Sequence, residues 1–178
     1  EKQLNSDYVF KGRIINLRVD DALLPNGNTA KREVIEHPGG VCVAALTDNN
    51  EVLMVKQFRY PYSEVIMEIP AGKRDKADED PLECGIRELR EETGAKAEKF
   101  IPLGTLYPSP GYVGEIIWMY AATGLTFGEN DLDEDEFLTA EKVPLEDAVN
   151  MILSGEIKDA KTQAAVLKLK MLKDRGEI

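Results

Sequence analysis

The stretch AGKRDKADEDPLECGIRELREETG, residues 71–94, decides how the rest of the chain is read. Asp80 is an N-cap residue, Pro81 takes the first helical position, and Glu83 follows three residues after the cap. Gly94 is suited to end the helix in a left-handed conformation. The spacing therefore predicts a helix over residues 81–93. Inside it Glu88, Glu91 and Glu92 crowd into five positions, although like charges at i and i+4 repel. On a wheel of ~100° per residue, Leu82, Ile86, Leu89 and Thr93 fall within roughly 60° and predict a core-facing stripe. Glu88 and Glu92 lie about 40° apart on one flank, with Glu91 about 60° beyond Glu88. Arg87 falls on the far side of Glu91, where it can orient the carboxylates; Arg90 lies nearer the stripe. Such a comb of oxygens suits Mg²⁺ or Mn²⁺, which bind a few carboxylates together with water and a substrate phosphate. The competing reading of glutamates among arginines is a solvated charged face.

Outward from this helix the chain reads mostly as strands. Residues 9–19 and 29–36 flank Pro25-Asn26-Gly27-Asn28 and predict an antiparallel hairpin. Residues 41–46 are a continuous apolar run, expected as a buried strand. Asp48-Asn49-Asn50 is a turn, and residues 51–58 are expected as the hairpin partner of that strand. Residues 65–69 add another strand. Beyond the helix, strands near 99–107 and 115–123 flank PSPGYVG, followed by an acidic loop at 130–136. Residues 144–153 and 159–173 read as two amphipathic helices, with Gly155 between them. Strands interspersed with few helices predict a mixed α/β sandwich, not a doubly wound parallel sheet.

Bulk properties exclude several function classes. The 178 residues suffice for one domain, or one domain with a small appendage. With 22 basic and 33 acidic side chains the net charge is −11, a poor match to a nucleic-acid backbone. An acidic chain still binds phosphates when cations lie between the two. Cys42 and Cys84 make no disulfide framework. No apolar run approaches the ~18–20 residues of a membrane span, and the first residues lack a signal-peptide core. These features set the expectation of a cytoplasmic protein that spans no membrane. His37, the only histidine, lies in a turn-like HPGG, so no histidine-based nucleophilic triad is available.

The helix and its lead-in resemble the Nudix hydrolases, whose signature is G-x5-E-x7-R-E-U-x-E-E-x-G-U with U aliphatic. Gly72, Glu79, Arg87, Glu88, Leu89, Glu91, Glu92, Gly94 and Ala95 match by type. One spacing departs: six residues, KRDKAD, separate Gly72 from Glu79 instead of five. The resemblance covers roughly residues 11–172. It is greatest to the ADP-ribose pyrophosphatases, through KQFRYP at 56–61, EIPAGK at 68–73, and Pro110, fifteen residues after Ala95.

The resemblance implies a Nudix α/β/α sandwich with a mixed sheet, preceded by an N-terminal antiparallel sheet. It places the boundary so that residues 1–38 form the N-terminal sheet, a dimerisation element, and residues 39–178 the hydrolase domain. It implies a homodimer and Mg²⁺-dependent hydrolysis of ADP-ribose to AMP and ribose 5-phosphate. The same chemistry on ADP-glucose, GDP-mannose, FAD or an oxidised nucleotide is one alternative; a non-catalytic ADP-ribose sensor is another. Carried over residue by residue, Glu88 and Glu92 are direct metal ligands, Glu91 is a direct or water-mediated one, and the Ala71 carbonyl completes the shell. Arg87 orients the carboxylates. Glu134 and Glu136 are the candidates for general base, with Glu136 also a candidate metal ligand. Arg59 is expected on the diphosphate or terminal ribose. Arg32 and Glu33 are expected near adenine, across a dimer interface, and Pro110 and Gly111 in the loop over the terminal ribose.

Overall fold

A computed structural model describes residues 1–74, 78–132 and 137–178. The chain runs β1 (Lys2–Lys11), β2 (Asn16–Leu23), β3 (Thr29–Glu36), β4 (Gly40–Ala45), β5 (Glu51–Arg59), β6 (Glu64–Glu68), β7 (Ala71–Lys73), α1 (Pro81–Thr93), β8 (Ala95–Leu106), β9 (Ile117–Phe127), β10 (Leu138–Pro144), α2 (Leu145–Leu153) and α3 (Ala160–Asp174). Strand β4 explains the layering. Every residue in it is buried, so its alternate side chains must feed two different cores. Cys42, Ala44 and Leu46 join Met54, Met119, Ala165 and Leu169 on one face. Val43 and Ala45 join Leu53, Leu89 and Ala122 on the other. Helices α2 and α3 thus cover one side and α1 the other, giving the expected α/β/α sandwich.

Among the described residues there are three sheets: β1-β2-β3, β10-β5-β6, and the mixed sheet β7-β4-β9-β8, in which β4 and β9 run parallel. The first is the expected antiparallel N-terminal sheet, but the strand expected over residues 9–19 is split: β1 ends at Lys11, the chain turns where the Gly12 amide donates to the Ile15 carbonyl at 2.9 Å, and β2 pairs back on β1 before β3 joins it. One expectation fails. Strand β5 is not the hairpin partner of β4; the two share only an isolated bridge, Leu46 to Val52. Both edges of β4 are taken by β7 and β9, so the turn at Asn50, with φ of 62°, carries the chain into the second sheet. There β5 pairs with β6 and β10. Strands β7 and β10 were not expected. The first has only three residues, and the second is polar with little burial. Among the described residues no helix is long and apolar enough to cross a membrane.

Candidate active site

Helix α1 forms over the expected span. The Asp80 side chain accepts hydrogen bonds from the Leu82 and Glu83 amides at 2.8 and 3.2 Å. Gly94 ends the helix at φ 69°, its amide donating to the Arg90 carbonyl at 2.8 Å. The buried face, however, is not the expected stripe. Cys84, Gly85, Glu88, Leu89 and Glu92 are buried, whereas Ile86 is 45% exposed and Leu82 and Thr93 are only partly covered. The inward arc is rotated by roughly 100° from the one an apolar wheel predicts. Gly85 is the physical reason: a Cβ there would come within 2.9 Å of Val41, so a bare backbone lets the helix settle onto β4. The turn of the helix carries Glu88 and Glu92 inward, against the end of β7.

There the carboxylates find specific partners. Glu92 accepts the Ala71 amide at 3.0 Å. Glu88 lies so close to Gly72 that a Cβ on that glycine would fall 1.9 Å from the Glu88 carboxyl carbon. Arg87 contacts three acids: its Nη1 donates to Glu88 at 2.8 Å and Glu91 at 3.0 Å, and its Nε and Nη2 lie 3.4 Å from Glu79. Arg90 also reaches Glu91, at 3.3 Å. Among the described residues no three potential ligands converge on one point, because the Arg87 guanidinium lies between Glu88 and Glu91. The donor set is nonetheless one of hard oxygens, held in a cradle that only glycine leaves open at residue 72, and it fits a hard divalent cation.

Glu88, Glu91 and Glu92 wall a cavity of about 410 Å³ whose other lining includes Gln57 and Arg59. A second cavity, of about 330 Å³, shares Arg59, Ala71, Gly72 and Lys73 with it and adds Glu115 and Lys161. A third, of about 590 Å³, is lined by Arg59, Tyr62, Pro108 and Tyr112. Arg59 thus borders all three. It is fixed by a residue that sequence reasoning missed: Glu68, 2% exposed, takes Arg59 Nε at 2.6 Å and Nη2 at 2.8 Å. Lys161 also donates to Glu68, and Asp159 holds Lys161 from the other side at 3.1 Å. Asp159 is at once the N-cap of α3, accepting from the Thr162 amide at 2.9 Å. Burial opposes the charge on Glu68, yet the Arg59 hydrogen bonds and the charges of Lys161 and Arg59 outweigh it and hold its carboxyl below the usual range. Burial likewise opposes the charge on Lys161, and Asp159 and Glu68 more than restore it. The Glu68 hydrogen bonds raise Arg59 above its ordinary value.

The remaining expected residues are scattered. Pro110 and Gly111 occupy an exposed loop whose neighbours Pro108, Ser109 and Tyr112 line the third cavity. That loop is tied to β3 by Ile35 and Gly114, whose amides donate to the Tyr112 and Ile35 carbonyls at 2.8 Å. Arg32 pairs with Glu1 at 2.8 Å on the N-terminal sheet and borders none of these cavities; Glu33 is exposed beside it. Glu134 and Glu136 lie outside the described residues. The Asp131 amide donates to the Glu91 carbonyl at 3.0 Å, which ties Asp131 to the carboxylate helix.

Comparison with known proteins adds independent findings. A NUDIX domain matches residues 36–166, and a nucleoside diphosphate sugar hydrolase N-terminal domain matches residues 1–35. The chain is 44% identical over 173 residues to a Bacillus subtilis (strain 168) protein named ADP-ribose pyrophosphatase, covering 96% of this chain and 93% of that one. It is 45% identical, with the same coverage, to a Bacillus methanolicus protein named methanol dehydrogenase activator. A crystal structure titled ADP compounds hydrolase superposes with a TM-score of 0.85 over 99% of this chain and 96% of its own, at 21% identity, which bears on the fold alone. With the Arg87-centred carboxylate helix, the glycine cradle and these matches all on one chain, the protein belongs to the Nudix family.

Proposed function

We propose that the protein hydrolyses the pyrophosphate bond of ADP-ribose, with Mg²⁺ as cofactor and Mn²⁺ able to replace it, releasing AMP and ribose 5-phosphate. One observation carries this reading: Glu88, Glu91 and Glu92 line a cavity together with an arginine locked by a buried glutamate. The family match and the name of the Bacillus subtilis relative support it. Glu88 and Glu92, with Glu91 and the Ala71 carbonyl, would hold the cation, which when bound screens the diphosphate and acidifies a water. Arg59 presents a planar fork to phosphate oxygens, and its Glu68 anchor means that little orientational freedom is lost on binding. Arg87 keeps the carboxylates from splaying. Glu134 or Glu136 would take the proton of the attacking water, as water adds to one phosphorus and the bridging oxygen leaves with the other phosphate.

We further infer a cytoplasmic homodimer in which residues 1–38 mediate assembly and residues 39–178 form the hydrolase domain. Strand β1 supports this, since it exposes Leu4, Tyr8, Val9 and Phe10, each about half accessible or more. A sedimentation mass of one chain at micromolar concentration would refute the dimer.

The functional test is incubation with ADP-ribose and Mg²⁺ in water enriched in heavy oxygen. The expected products are AMP and ribose 5-phosphate, with the label on only one of them. No turnover, with tight ADP-ribose binding, would replace hydrolysis with sensing. Faster turnover of ADP-glucose, GDP-mannose, FAD or an oxidised nucleotide would reassign the substrate. Glu92→Gln should lower kcat by about 100-fold or more while leaving the unfolding midpoint nearly unchanged.

A further inference from the structure

The lead-in to α1 is one residue longer than the family signature, six residues instead of five between Gly72 and Glu79. An extra residue adds up to ~3.5 Å of chain. The Glu79 carboxylate, one residue before the Asp80 cap of α1, keeps its reach to Arg87 only if the added residue is taken up upstream of it. The structure places that carboxylate 3.4 Å from both Nε and Nη2 of Arg87. We propose that Arg74 is a positioning residue that takes up the added length, clamping Glu79 and, through it, Arg87 onto the carboxylate comb. The proposal rests on reading that comb as a cation site.

Arg74 reaches from one side of the lead-in to Glu79 on the other. Its Nε donates to the Glu79 carbonyl at 2.9 Å. Its amide donates to the Gly39 carbonyl at 3.3 Å. Its guanidinium carbon lies over the Trp118 ring, 5.0 Å from the centroid. Trp118 is a firm platform. It sits in β9 opposite Val41 of β4 and Thr105 of β8, and its ring lies against Gly39, where a Cβ would come within 2.8 Å. A guanidinium can stack by its face and donate from its edge at once, which an ammonium cannot. The line of contacts then continues from Glu79 to Arg87, and from Arg87 to Glu88 and Glu91 at 2.8 and 3.0 Å. The side chain that closes the longer loop thereby helps fix the spacing of the cation-facing carboxylates.

The test is direct Mn²⁺ binding by calorimetry, with hydrolysis as a second readout. Removing a residue that orients metal ligands weakens metal binding by 10- to 100-fold; Arg74 acts one residue further out, so Arg74→Ala should weaken Mn²⁺ binding by about fivefold. The metal half-saturation of hydrolysis should shift equally, with kcat at saturating metal within about twofold of the wild type. Deleting Asp78, which is exposed, restores the five-residue spacing. In the Arg74→Ala background that deletion should bring Mn²⁺ affinity back toward the wild-type value, a rescue that a role in stability alone would not produce. Arg74→Lys should show an intermediate loss, and it carries the test if Arg74→Ala does not melt cooperatively. Unchanged Mn²⁺ affinity in these variants, or no rescue by the deletion, overturns the clamp alone. A wild-type protein that binds no Mn²⁺ overturns the cation site, and the clamp with it.

Discussion

Replacing Glu68 with glutamine keeps the outline of the side chain and removes its charge. The site is 2% exposed and faces two cations, Arg59 at 2.6 and 2.8 Å and Lys161, which shares Oε2 with Arg59 Nη2. Removing one partner of a buried ion pair costs about 3–5 kcal/mol. Arg59 is 38% exposed, so water compensates part of its loss, and Asp159 still serves Lys161. The expected net loss is about 3 kcal/mol. For a chain of this size that lowers the thermal midpoint by roughly 6–12 °C. The loss depends on pH with a definite sign. Glu68 titrates below its ordinary 4.5 in the folded state, so its contribution is complete above about 4.5 and fades as pH falls through the lower folded value. Lys161 titrates above its ordinary 10.5, so its contribution persists below that value and is lost only as pH rises through the higher folded one. Urea denaturation followed by circular dichroism should therefore show a constant penalty for Glu68→Gln from about pH 6 to 9, and a shrinking one in acid. Adding Lys161→Met should recover part of the loss, because it removes the stranded charge. A penalty below about 1 kcal/mol at pH 7, or one that persists undiminished at pH ~3, would refute this account of the network.

Three further outcomes follow from the geometry. Gly72→Ala puts a methyl where the Glu88 carboxylate now lies, 1.9 Å from its carbon; that flexible end must swing away, so urea denaturation should show a loss of only about 1 kcal/mol while Mn²⁺ affinity falls more than about tenfold. Gly94→Ala meets both a φ of 69° and the Gly128 carbonyl oxygen at 2.3 Å, and should cost about 2 kcal/mol or more by the same measurement. Burial pushes the Cys42 thiol up to about 12, and the side chain is fully enclosed, so iodoacetamide at pH 8 should leave the Cys42 peptide unmodified until denaturant is added, as read by mass spectrometry.

Local chemistry was the legible part of this chain. The Asp80 cap, Pro81, and Gly94 with its left-handed φ marked both ends of α1, because those signals act within a few residues. The face of α1 was harder to read. A wheel assigns apolar residues to the inside, and here the site inverts that rule by burying Glu88 and Glu92 while Ile86 faces water. The pairing of β4 with β9 was likewise hidden, since nothing near residue 40 announces a partner near residue 117. Glu68, Asp159 and Lys161 escaped notice because ordinary charged residues, more than ninety positions apart for the Glu68–Lys161 pair, become a network only on folding. The signal available was Glu68 itself, a charge opening the apolar run EIPAG. Arg59, expected on the diphosphate or terminal ribose, lines the carboxylate-walled cavity, and Glu68, nine residues on, anchors it there.

The parallel β4–β9 pair has a consequence for how the protein is made. Gly40 meets Ile117, and Ala45 meets Ala122, so the central strand waits for a partner synthesised 77 residues later. Until then β4 is an all-apolar strand with an open edge, and α1 has only part of the sheet it must settle on. The N-terminal β1-β2-β3 meander needs no such wait, because its contacts are local. During translation the meander should form first and the catalytic half late, in one cooperative step after β9 emerges. The emerging chain is then most prone to aggregate while residues 40–46 are out and residues 117–127 are still to come.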